Sequence, residues 1–236
     1  MRQDNRKNDE IRPVSFQDDF IENPLAAVLI EQGRTKVLCT VSFDAKVPPF
    51  LRGSGRGWVT AEYSMLPGST NTRKQRDINR LRLDGRSSEI QRLIGRSLRT
   101  VVDFEALGEN TLVVDCDVLQ ADGGTRCASI NGGYRALALA CRRLVEQGIL
   151  KSSPLTGQVG AISVGMVKGQ AMADLCYLED SAADVDMNVI MNENNEFIEI
   201  QGTGEEKTFT RAEMNQMLDH AEKAIQTILK IEEANL

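Results

Sequence analysis

The sequence predicts an α+β fold in which helices pack on layered β-sheets. Short apolar runs rich in β-branched residues recur along the chain, and three longer segments carry apolar residues at helical spacing. These segments follow the order strands, helix, strand, helix, strands, helix, which is typical of layered α+β proteins. The 236 residues contain no fixed-period repeat and no low-complexity linker. We therefore interpret residues 1–236 as a single domain, although this length also fits two small ones.

The predicted strands are bounded by glycine or polar turn residues. Residues 26–31 and 36–43 flank the sequence Gln32-Gly33-Arg34, which indicates a β-hairpin. Further strands are predicted at residues 57–65, 111–119, 159–167, 171–178, 186–191 and 196–200.

Three helices are predicted from apolar residues at helical spacing. The first begins at about Ser88, and Ser87 and Ser88 are its candidate N-caps. The second follows a loop at residues 120–125 and extends to about Glu146, and the third, which is amphipathic, covers about residues 211–231. The polar segment 68–84 is expected to be an exposed loop or a short helix.

Composition excludes several classes of protein. Hydrophobic residues make up 41% and charged residues 26% of the chain, an ordinary globular balance that argues against a disordered or fibrous protein. No apolar run approaches the roughly 20 residues that span a bilayer. The polar N-terminus lacks the apolar core of a signal peptide. We therefore expect no membrane partner.

The cysteines favour a reducing compartment. The five cysteines are widely spaced and form no C-x-x-C motif, so neither a disulfide scaffold nor a cysteine zinc site is expected. Cys39, Cys116 and Cys176 lie in apolar strand-like runs and are expected to be small core residues. These features predict a cytoplasmic protein.

The single histidine, His220, limits the available chemistry. Metal sites that need two imidazoles are excluded, and no G-x-S-x-G motif accompanies His220 to suggest a Ser-His-Asp triad. We interpret His220 as a residue of the last helix. The chemistry is then expected to use carboxylates, arginines, hydroxyls and backbone amides.

Charge is segregated along the chain. Residues 52–99 contain 11 Lys and Arg against 4 Asp and Glu, a balance of +7, within a chain whose net charge is −6. A basic segment in an acidic protein indicates a local surface for an anion or a nucleic acid. Arginines paired with carboxylates on solvated helix faces would explain the same pattern.

Residues Gly123-Gly124-Thr125-Arg126 are a glycine-rich turn between a predicted strand and a predicted helix. Glycines let the backbone approach an anion closely, and a helix N-terminus presents unpaired amides to it. Thr125 adds a hydroxyl donor, and Arg126 adds a guanidinium suited to phosphate oxygens. An ordinary strand-to-helix turn would have the same composition, and the segment matches neither the Walker motif nor the dinucleotide motif.

Arg86 is a candidate second cation for the same anion. It follows Asp84-Gly85 next to the predicted start of the first helix, where a positive charge opposes the helix dipole. A bound anion would explain this position, as would an ordinary surface arginine.

Carboxylates are concentrated at Glu179, Asp180, Asp184 and Asp186. If a strand starts near Val185, Asp186 points away from the apolar face, and Asp180 can fold back towards it. Such oxygens suit Mg²⁺ or Mn²⁺. A solvated acidic turn is the alternative, and Asp186 departs from it most because strand interiors disfavour aspartate.

These features together indicate phosphate chemistry without a protein nucleophile. Arginines and a helix N-terminus would bind an anion, and the carboxylates would hold a metal ion. Water or inorganic phosphate would attack, while the protein positions the reactants and stabilises charge.

Four longer segments have the sequences GWVTAEYSMLP, DVLQADGGTR, EDSAADVDMNV and EIQGT, at residues 57–67, 117–126, 179–189 and 199–203. In order and spacing they closely resemble the bacterial ribonuclease PH family, and the likeness extends from about residue 2 to about residue 230. The resemblance implies a phosphate-dependent 3′→5′ exoribonuclease, a nucleotidyltransferase that trims tRNA precursors. It would transfer the terminal nucleotide reversibly to inorganic phosphate and release a nucleoside diphosphate. Ribosomal RNA and other RNA 3′ ends are further candidate substrates.

The resemblance also implies a fold, an assembly and a cofactor. The fold would be like that of the second domain of ribosomal protein S5. The expected assembly is a homohexameric ring, a trimer of dimers. Mg²⁺ would be the metal ion, and inorganic phosphate the co-substrate.

Single residues take roles from the same resemblance. Asp180 and Asp186 correspond to the carboxylates that bind the metal and serve catalysis. Arg73 and Arg76 correspond to basic positions that contact tRNA, and Gly68 stands where the family usually has arginine. The phosphate-binding positions correspond to Arg86, Gly124, Thr125 and Arg126.

The proposed tRNA contacts lie in a basic segment before the first predicted helix. Arg73, Lys74, Arg76 and Arg80 crowd this segment, with only Asp77 opposing them. Such a loop suits the phosphate backbone of a folded RNA, because phosphate contacts position an RNA without reading its sequence. A solvated loop without a specific role is the alternative.

Two other classes of function are weighed against a nuclease. A non-catalytic RNA-binding subunit would be expected to lack the phosphate arginines or the acidic pair, and all of these are present. A metabolite phosphotransferase would need a nucleotide-triphosphate loop, which the sequence does not show. Only the nuclease would release nucleoside diphosphates from RNA, and only when phosphate is present.

Overall fold

Two β-sheets form the main layers of the computed structural model, which describes residues 2, 4–76 and 84–234. The first sheet has the spatial order β1-β2-β3-β5-β4, and its strands are antiparallel except for the parallel pair β4 and β5. Its strands are β1 (Val14–Asp18), β2 (Ala26–Gln32), β3 (Thr35–Asp44), β4 (Trp58–Met65) and β5 (Thr111–Gln120).

The second sheet is antiparallel throughout and has the order β7-β6-β8-β9. Its strands are β6 (Val159–Val167), β7 (Gln170–Ala173), β8 (Val185–Asn192) and β9 (Phe197–Gly204). The helices are α1 (Gly85–Arg99), α2 (Phe104–Leu107), α3 (Thr125–Glu146), α4 (Tyr177–Asp180) and α5 (Arg211–Glu233).

Helix α3 lies between the two sheets and is buried at every residue from 127 to 141. It packs on β2, β3 and β5 of the first sheet and on β6 of the second. Asn131 bonds β6 directly: its Nδ2 donates to the carbonyl of Ala161 at 3.0 Å, and its Oδ1 accepts from the amide of Ala161 at 2.8 Å. Because β7 pairs only with the far end of β6, these bonds satisfy backbone groups that β7 does not reach.

The two faces of β8 have different environments. Val185, Met187 and Val189 belong to an apolar cluster with the buried side of α5. Asp186 and Asn188 occupy the alternate positions and line a cavity on the other face. The predicted alternation of this strand is confirmed, and it delivers a carboxylate to the side of the sheet that faces α3.

The predicted α+β layering is confirmed, but the start of the first helix was misplaced. Helix α1 begins at Gly85, before the predicted start at Ser88, because Asp84 serves as its N-cap and accepts a bond from the amide of Arg86 at 3.4 Å. Ser87, a predicted cap, is buried inside the helix.

The predicted strand at residues 171–178 is wrong beyond Ala173. Asp174 has a φ of 54°, which ends β7, and the short helix α4 follows. Cys176 is therefore not a strand residue and is only partly buried, whereas Cys39 and Cys116 are buried in β3 and β5 as predicted. Strand β1 and the short helices α2 and α4 were missed, because each is too short to show a period.

No helix within the described part of the chain is long and apolar enough to span a membrane. His220 lies in α5, as predicted.

Adjacent glycines on α3 provide a test of its packing. A Cβ on Gly132 would lie 2.6 Å from Cγ2 of Ile30 and 2.8 Å from Sγ of Cys39. We expect Gly132→Ala to lower the free energy of unfolding by about 1–3 kcal/mol, because the overpacking outweighs the gain in helix propensity. Urea unfolding followed by circular dichroism measures this change.

Gly133→Ala is the matched control, because its Cβ would meet side chains at 3.4 Å or more. It should leave stability unchanged or raise it by up to about 1 kcal/mol. Equal losses in the two variants would contradict close packing of α3 at Gly132.

Candidate active site

A polar cavity of about 240 Å³ lies where the N-terminus of α3 meets the second sheet and α4. All of the predicted phosphate-binding residues and both predicted metal-binding carboxylates line this cavity: Arg86, Gly124, Thr125, Arg126, Asp180 and Asp186. Its other lining residues are Ser163, Tyr177, Ser181, Asn188 and Glu205.

The turn into α3 requires glycine. Gly123 and Gly124 have φ values of 75° and 67°, in the left-handed region that other residues rarely adopt. A Cβ on Gly123 would also lie 2.4 Å from the carbonyl oxygen of Leu175. The turn therefore packs on the backbone that leads into α4. Gly124, Thr125 and Arg126 at the start of α3 line the cavity, and the first amides of a helix lack partners within the helix.

Thr125 forms a hydrogen bond with the first sheet. Its Oγ1 lies 2.9 Å from the hydroxyl of Tyr63, and both residues are buried. Burial raises the pKa of Tyr63, so the phenol stays protonated at neutral pH. This contact joins β4 to the first residue of α3.

Two arginines from different helices reach the cavity. Arg126 projects from α3, donates to Oε1 of Gln201 at 3.2 Å and lies 3.6 Å from Oε1 of Glu89. Arg86 lies in the first turn of α1 and is exposed. Together with the α3 amides, these guanidinium groups make an electropositive wall suited to an oxyanion.

The opposite wall carries two partly buried carboxylates. Burial raises the pKa of Asp186 to about 6, and the negative charge of Asp180 contributes in the same direction, while Arg126 opposes the shift. Burial also raises the pKa of Asp180. Asp180 and Asp186 line the same cavity, so the chain folds back at Asp180 as the sequence predicted.

These carboxylates have the chemistry of a cation site. Oδ1 of Asp186 is buried and has no hydrogen-bond partner among the described residues, and such an oxygen suits a hard cation. No group of three or more His, Cys, Asp or Glu residues within the described part of the chain is arranged to hold a metal ion.

Two neighbouring carboxylates differ from the sequence analysis or add to it: Asp184 has another partner, and Glu205 was not predicted to be near the site. Asp184 forms an ion pair with Lys207 at 2.9 Å and does not line the cavity. Glu205 does line it, and its charge raises the pKa of both Asp180 and Asp186. No sequence signal marks Glu205, because it enters the cavity from the loop after β9.

Arg73 and Arg76 lie away from the cavity. Both are exposed in the segment between β4 and α1, and neither lines the cavity. Lys74, from the same segment, is paired with Asp84 at 3.1 Å, so the expectation that only Asp77 opposes this basic segment was wrong. Asp77 and Arg80 themselves lie outside the described residues.

Residues 10–143 match the family model for domain 1 of the 3′ exoribonuclease family, and residues 157–224 match the model for domain 2. The chain belongs to the 3′ exoribonuclease family. It is 56% identical over 231 residues to Ribonuclease PH of Bacillus velezensis, with 98% of this chain and 94% of that one covered. It is 55% identical over 230 residues to Ribonuclease PH of Bacillus subtilis, with 97% and 94% covered.

A solved structure shares the fold. A chain of the Archaeoglobus fulgidus exosome with RNA bound to the active site superposes with a TM-score of 0.82 at 21% identity. The match covers 100% of this chain and 92% of that one. The predicted fold is confirmed by this likeness.

The raised pKa of Asp186 gives this exoribonuclease family member a testable pH dependence. The carboxylate is ionised above about pH 6 and protonated below it, and a proton competes with a metal ion for the same oxygens. We expect the affinity for Mn²⁺ to fall about tenfold per pH unit below pH 6. Electron paramagnetic resonance of Mn²⁺ with the protein alone, without phosphate or RNA, measures it.

Asp184→Asn is the control for this titration, because Asp184 is paired with Lys207 outside the cavity. It should keep the pH dependence, whereas Asp186→Asn should remove it together with most of the Mn²⁺ binding. A flat Mn²⁺ affinity of the wild-type protein between pH 5 and 7 would place the ion elsewhere.

Proposed function

We propose that this protein trims the 3′ ends of tRNA precursors by transferring terminal nucleotides to inorganic phosphate, with release of nucleoside diphosphates. The observation that carries the proposal is a single cavity in which two arginines and the start of α3 face two carboxylates. The described lining contains no histidine or cysteine. Whole-length similarity to two ribonucleases PH supports the same reaction.

The arginine wall would bind the attacking phosphate. Arg86 and Arg126 present charged donors, Thr125 presents a hydroxyl, and Gly124 allows the backbone to approach the ion. Charge-assisted bonds of this kind are short and strong. Held in this way, the phosphate is oriented for attack on the last phosphodiester of the RNA, which removes much of the entropic cost of bringing the reactants together.

Asp180 and Asp186 would hold the divalent metal, which we propose is Mg²⁺. An ion bound there supplies positive charge to the phosphodiester that is cleaved. Asp186 contributes only when ionised, so its raised pKa sets the acid limit of the site. Glu205 adds negative charge nearby and strengthens the attraction for a cation.

The exposed arginines would bind the body of the RNA. Arg73 and Arg76 extend into solvent away from the cavity, so they can contact tRNA phosphates without touching the reacting atoms. We propose that they anchor tRNA, with affinity reduced by Gly68 in place of the arginine usual in the family.

The assembly, location and domain organisation are also proposals. The resemblance supports a homohexamer built from three dimers, and ribosomal RNA as a further substrate. The free cysteines fit a reducing cytoplasm. Because α3 packs on both sheets, we propose that the two family-model segments fold as one unit.

The reaction is tested with a short unstructured RNA, Mg²⁺ and the wild-type protein, with and without phosphate. Chromatography of the products should show nucleoside diphosphates only when phosphate is present. Nucleoside monophosphates without phosphate would indicate a hydrolase. A folded protein that releases nothing would be a non-catalytic subunit, and either result would contradict the proposal.

Arg126→Ala tests the phosphate wall. Loss of a charge-assisted hydrogen bond, worth roughly 1.5–3 kcal/mol, should raise the KM for phosphate about 10- to 150-fold. Steady-state kinetics with phosphate varied at saturating RNA measure it. Arg142→Ala is the control, because Arg142 is exposed on α3, lies 3.9 Å from Glu146 outside the cavity and should leave this KM unchanged. A normal KM in Arg126→Ala would remove Arg126 from the site.

The double variant Arg73→Ala with Arg76→Ala tests the RNA anchor. We expect weaker binding of tRNA precursors and normal phosphorolysis of a short unstructured RNA, because only the tRNA reaches the loop. The slope of log affinity against log salt concentration should flatten by roughly one unit for each phosphate group that the variant no longer binds. Filter binding at several salt concentrations measures both effects.

Removal of two exposed lysines elsewhere, Lys151→Ala with Lys230→Ala, is the charge-matched control. Gly68→Arg adds a positive charge to the same segment and should tighten tRNA binding. The protein can accommodate this side chain, because a Cβ on Gly68 meets no atom within 4 Å. Equal losses on tRNA and on short RNA would place Arg73 and Arg76 in the catalytic centre or in the fold instead.

A further inference from the structure

A buried ion pair lies beside the turn that lines the active-site cavity. Arg12 is 4% exposed and Asp174 is fully buried. The Arg12 amide and Nε donate to Oδ2 of Asp174 at 2.6 and 2.9 Å, and Nη2 donates to Oδ1 at 2.7 Å. Nε2 of Gln32 donates to the same Oδ1 at 2.7 Å. The carboxylate is thus fixed by four hydrogen bonds.

Arg12 also bonds the phosphate-binding turn. Its Nη1 donates to the carbonyl of Asp122 at 2.5 Å, and its Nη2 lies 3.4 Å from the carbonyl oxygen of Gly123. A Cβ on Gly124 would be only 3.3 Å from Nη2. The guanidinium therefore supports the turn through the carbonyl groups of Asp122 and Gly123.

Asp174 belongs to the segment that carries a metal-binding carboxylate. Its backbone amide donates to the carbonyl of Ser163 at 2.7 Å, and its positive φ turns the chain into α4, which ends at Asp180. The amide of Tyr177, the first residue of α4, donates to Oδ1 of Asp122 at 3.3 Å. The ion pair therefore connects the two segments that form opposite walls of the cavity.

Neither partner is placed to act on substrate. Arg12 and Asp174 are absent from the described lining of the cavity, so they do not bind phosphate or metal themselves. Stability alone explains the pair poorly, because buried ion pairs often contribute no more to stability than apolar residues of the same volume. A geometric role accounts for an arginine that bonds both an aspartate and the phosphate-binding turn.

We propose that the Arg12–Asp174 pair is a positioning element that fixes the phosphate-binding turn at Gly124–Arg126 relative to the carboxylate at Asp180. This inference rests on the proposed function, since it assigns the two walls to the two reactants. Each wall keeps its own ligands when the pair is broken, and only their separation changes. The rate of the chemical step should then fall, because this step needs both walls at the correct separation.

Asp174→Asn is the first variant to test. It keeps the side-chain shape, and asparagine tolerates a positive φ, but it removes the charge and one acceptor from Arg12. We expect kcat for phosphorolysis of short RNA to fall about 10- to 100-fold. The KM for phosphate and the Mn²⁺ affinity should each change less than about threefold, because each is bound by one wall. Arg12→Lys, which cannot span the aspartate and the turn together, should show the same split.

Asp18→Asn is the matched control. Asp18, whose side chain is partly exposed, accepts two bonds from the buried Arg135, at 3.0 and 2.6 Å, in an arginine–aspartate pair that does not line the cavity. Its kcat should match the wild type within about threefold. The double variant Arg12→Lys with Asp174→Asn should be no slower than the slower single variant, because both residues act through the same hydrogen-bond network.

Three results would overturn the positioning role. One is an unchanged kcat per folded molecule in both variants, and another is a loss confined to the KM for phosphate. The third is that both variants fail to fold, as judged by circular dichroism, which would make the pair purely structural. A wild-type protein that releases no nucleoside diphosphates would instead overturn the proposed function, so the two failures are distinguishable.

Discussion

The burial of α3 between two sheets is the constraint on which the rest of the structure depends. Its residues from 127 to 141 are all buried, so it cannot shift without disturbing both cores. The hydrogen bonds between Asn131 and Ala161 fix it against the second sheet, and Gly132 brings it close to the first. Its N-terminus is thereby held beside the inner face of β8, where Asp186 lies. The site is a consequence of how the layers pack.

The cavity is lined by both arginines and partly buried carboxylates, so opposite charges lie close together. Arg86 and Arg126 lower the pKa values of Asp180 and Asp186, but burial and carboxylate repulsion outweigh them, and the net shift is upward. A site with these properties gains from binding both an anion and a cation, since each relieves one set of unbalanced charges. Phosphate and a divalent metal are a pair of ligands that meets both needs.

Sequence periodicity was sufficient for the long elements, and local composition marked the glycines and carboxylates that line the cavity. Strand β6 has the predicted bounds, 159–167, and helix α3 ends at Glu146 as predicted, because their patterns are long and uninterrupted. Thr125, interpreted as the last residue of a loop, is instead the first residue of α3. The glycines before α3 indicate a tight turn, and the aspartates of residues 180–186 indicate a turn that leads into a strand. Both features can be recognised from local composition. Positions set by tertiary contact were not predictable. Arg12 lies far from Asp174 in sequence, and Glu205 has no neighbouring signal, so only the fold shows where they lie.

A structure determined from crystals grown with phosphate and Mn²⁺ tests most directly whether the start of α3 binds inorganic phosphate, the proposed nucleophile. We expect phosphate density within about 3 Å of the amides at Thr125 and Arg126 and of the two guanidinium groups, with Mn²⁺ on the carboxylates of Asp180 and Asp186. Density for phosphate only at other surfaces, with the α3 N-terminus bare at saturating phosphate, would contradict the assignment of this cavity as the phosphorolytic site.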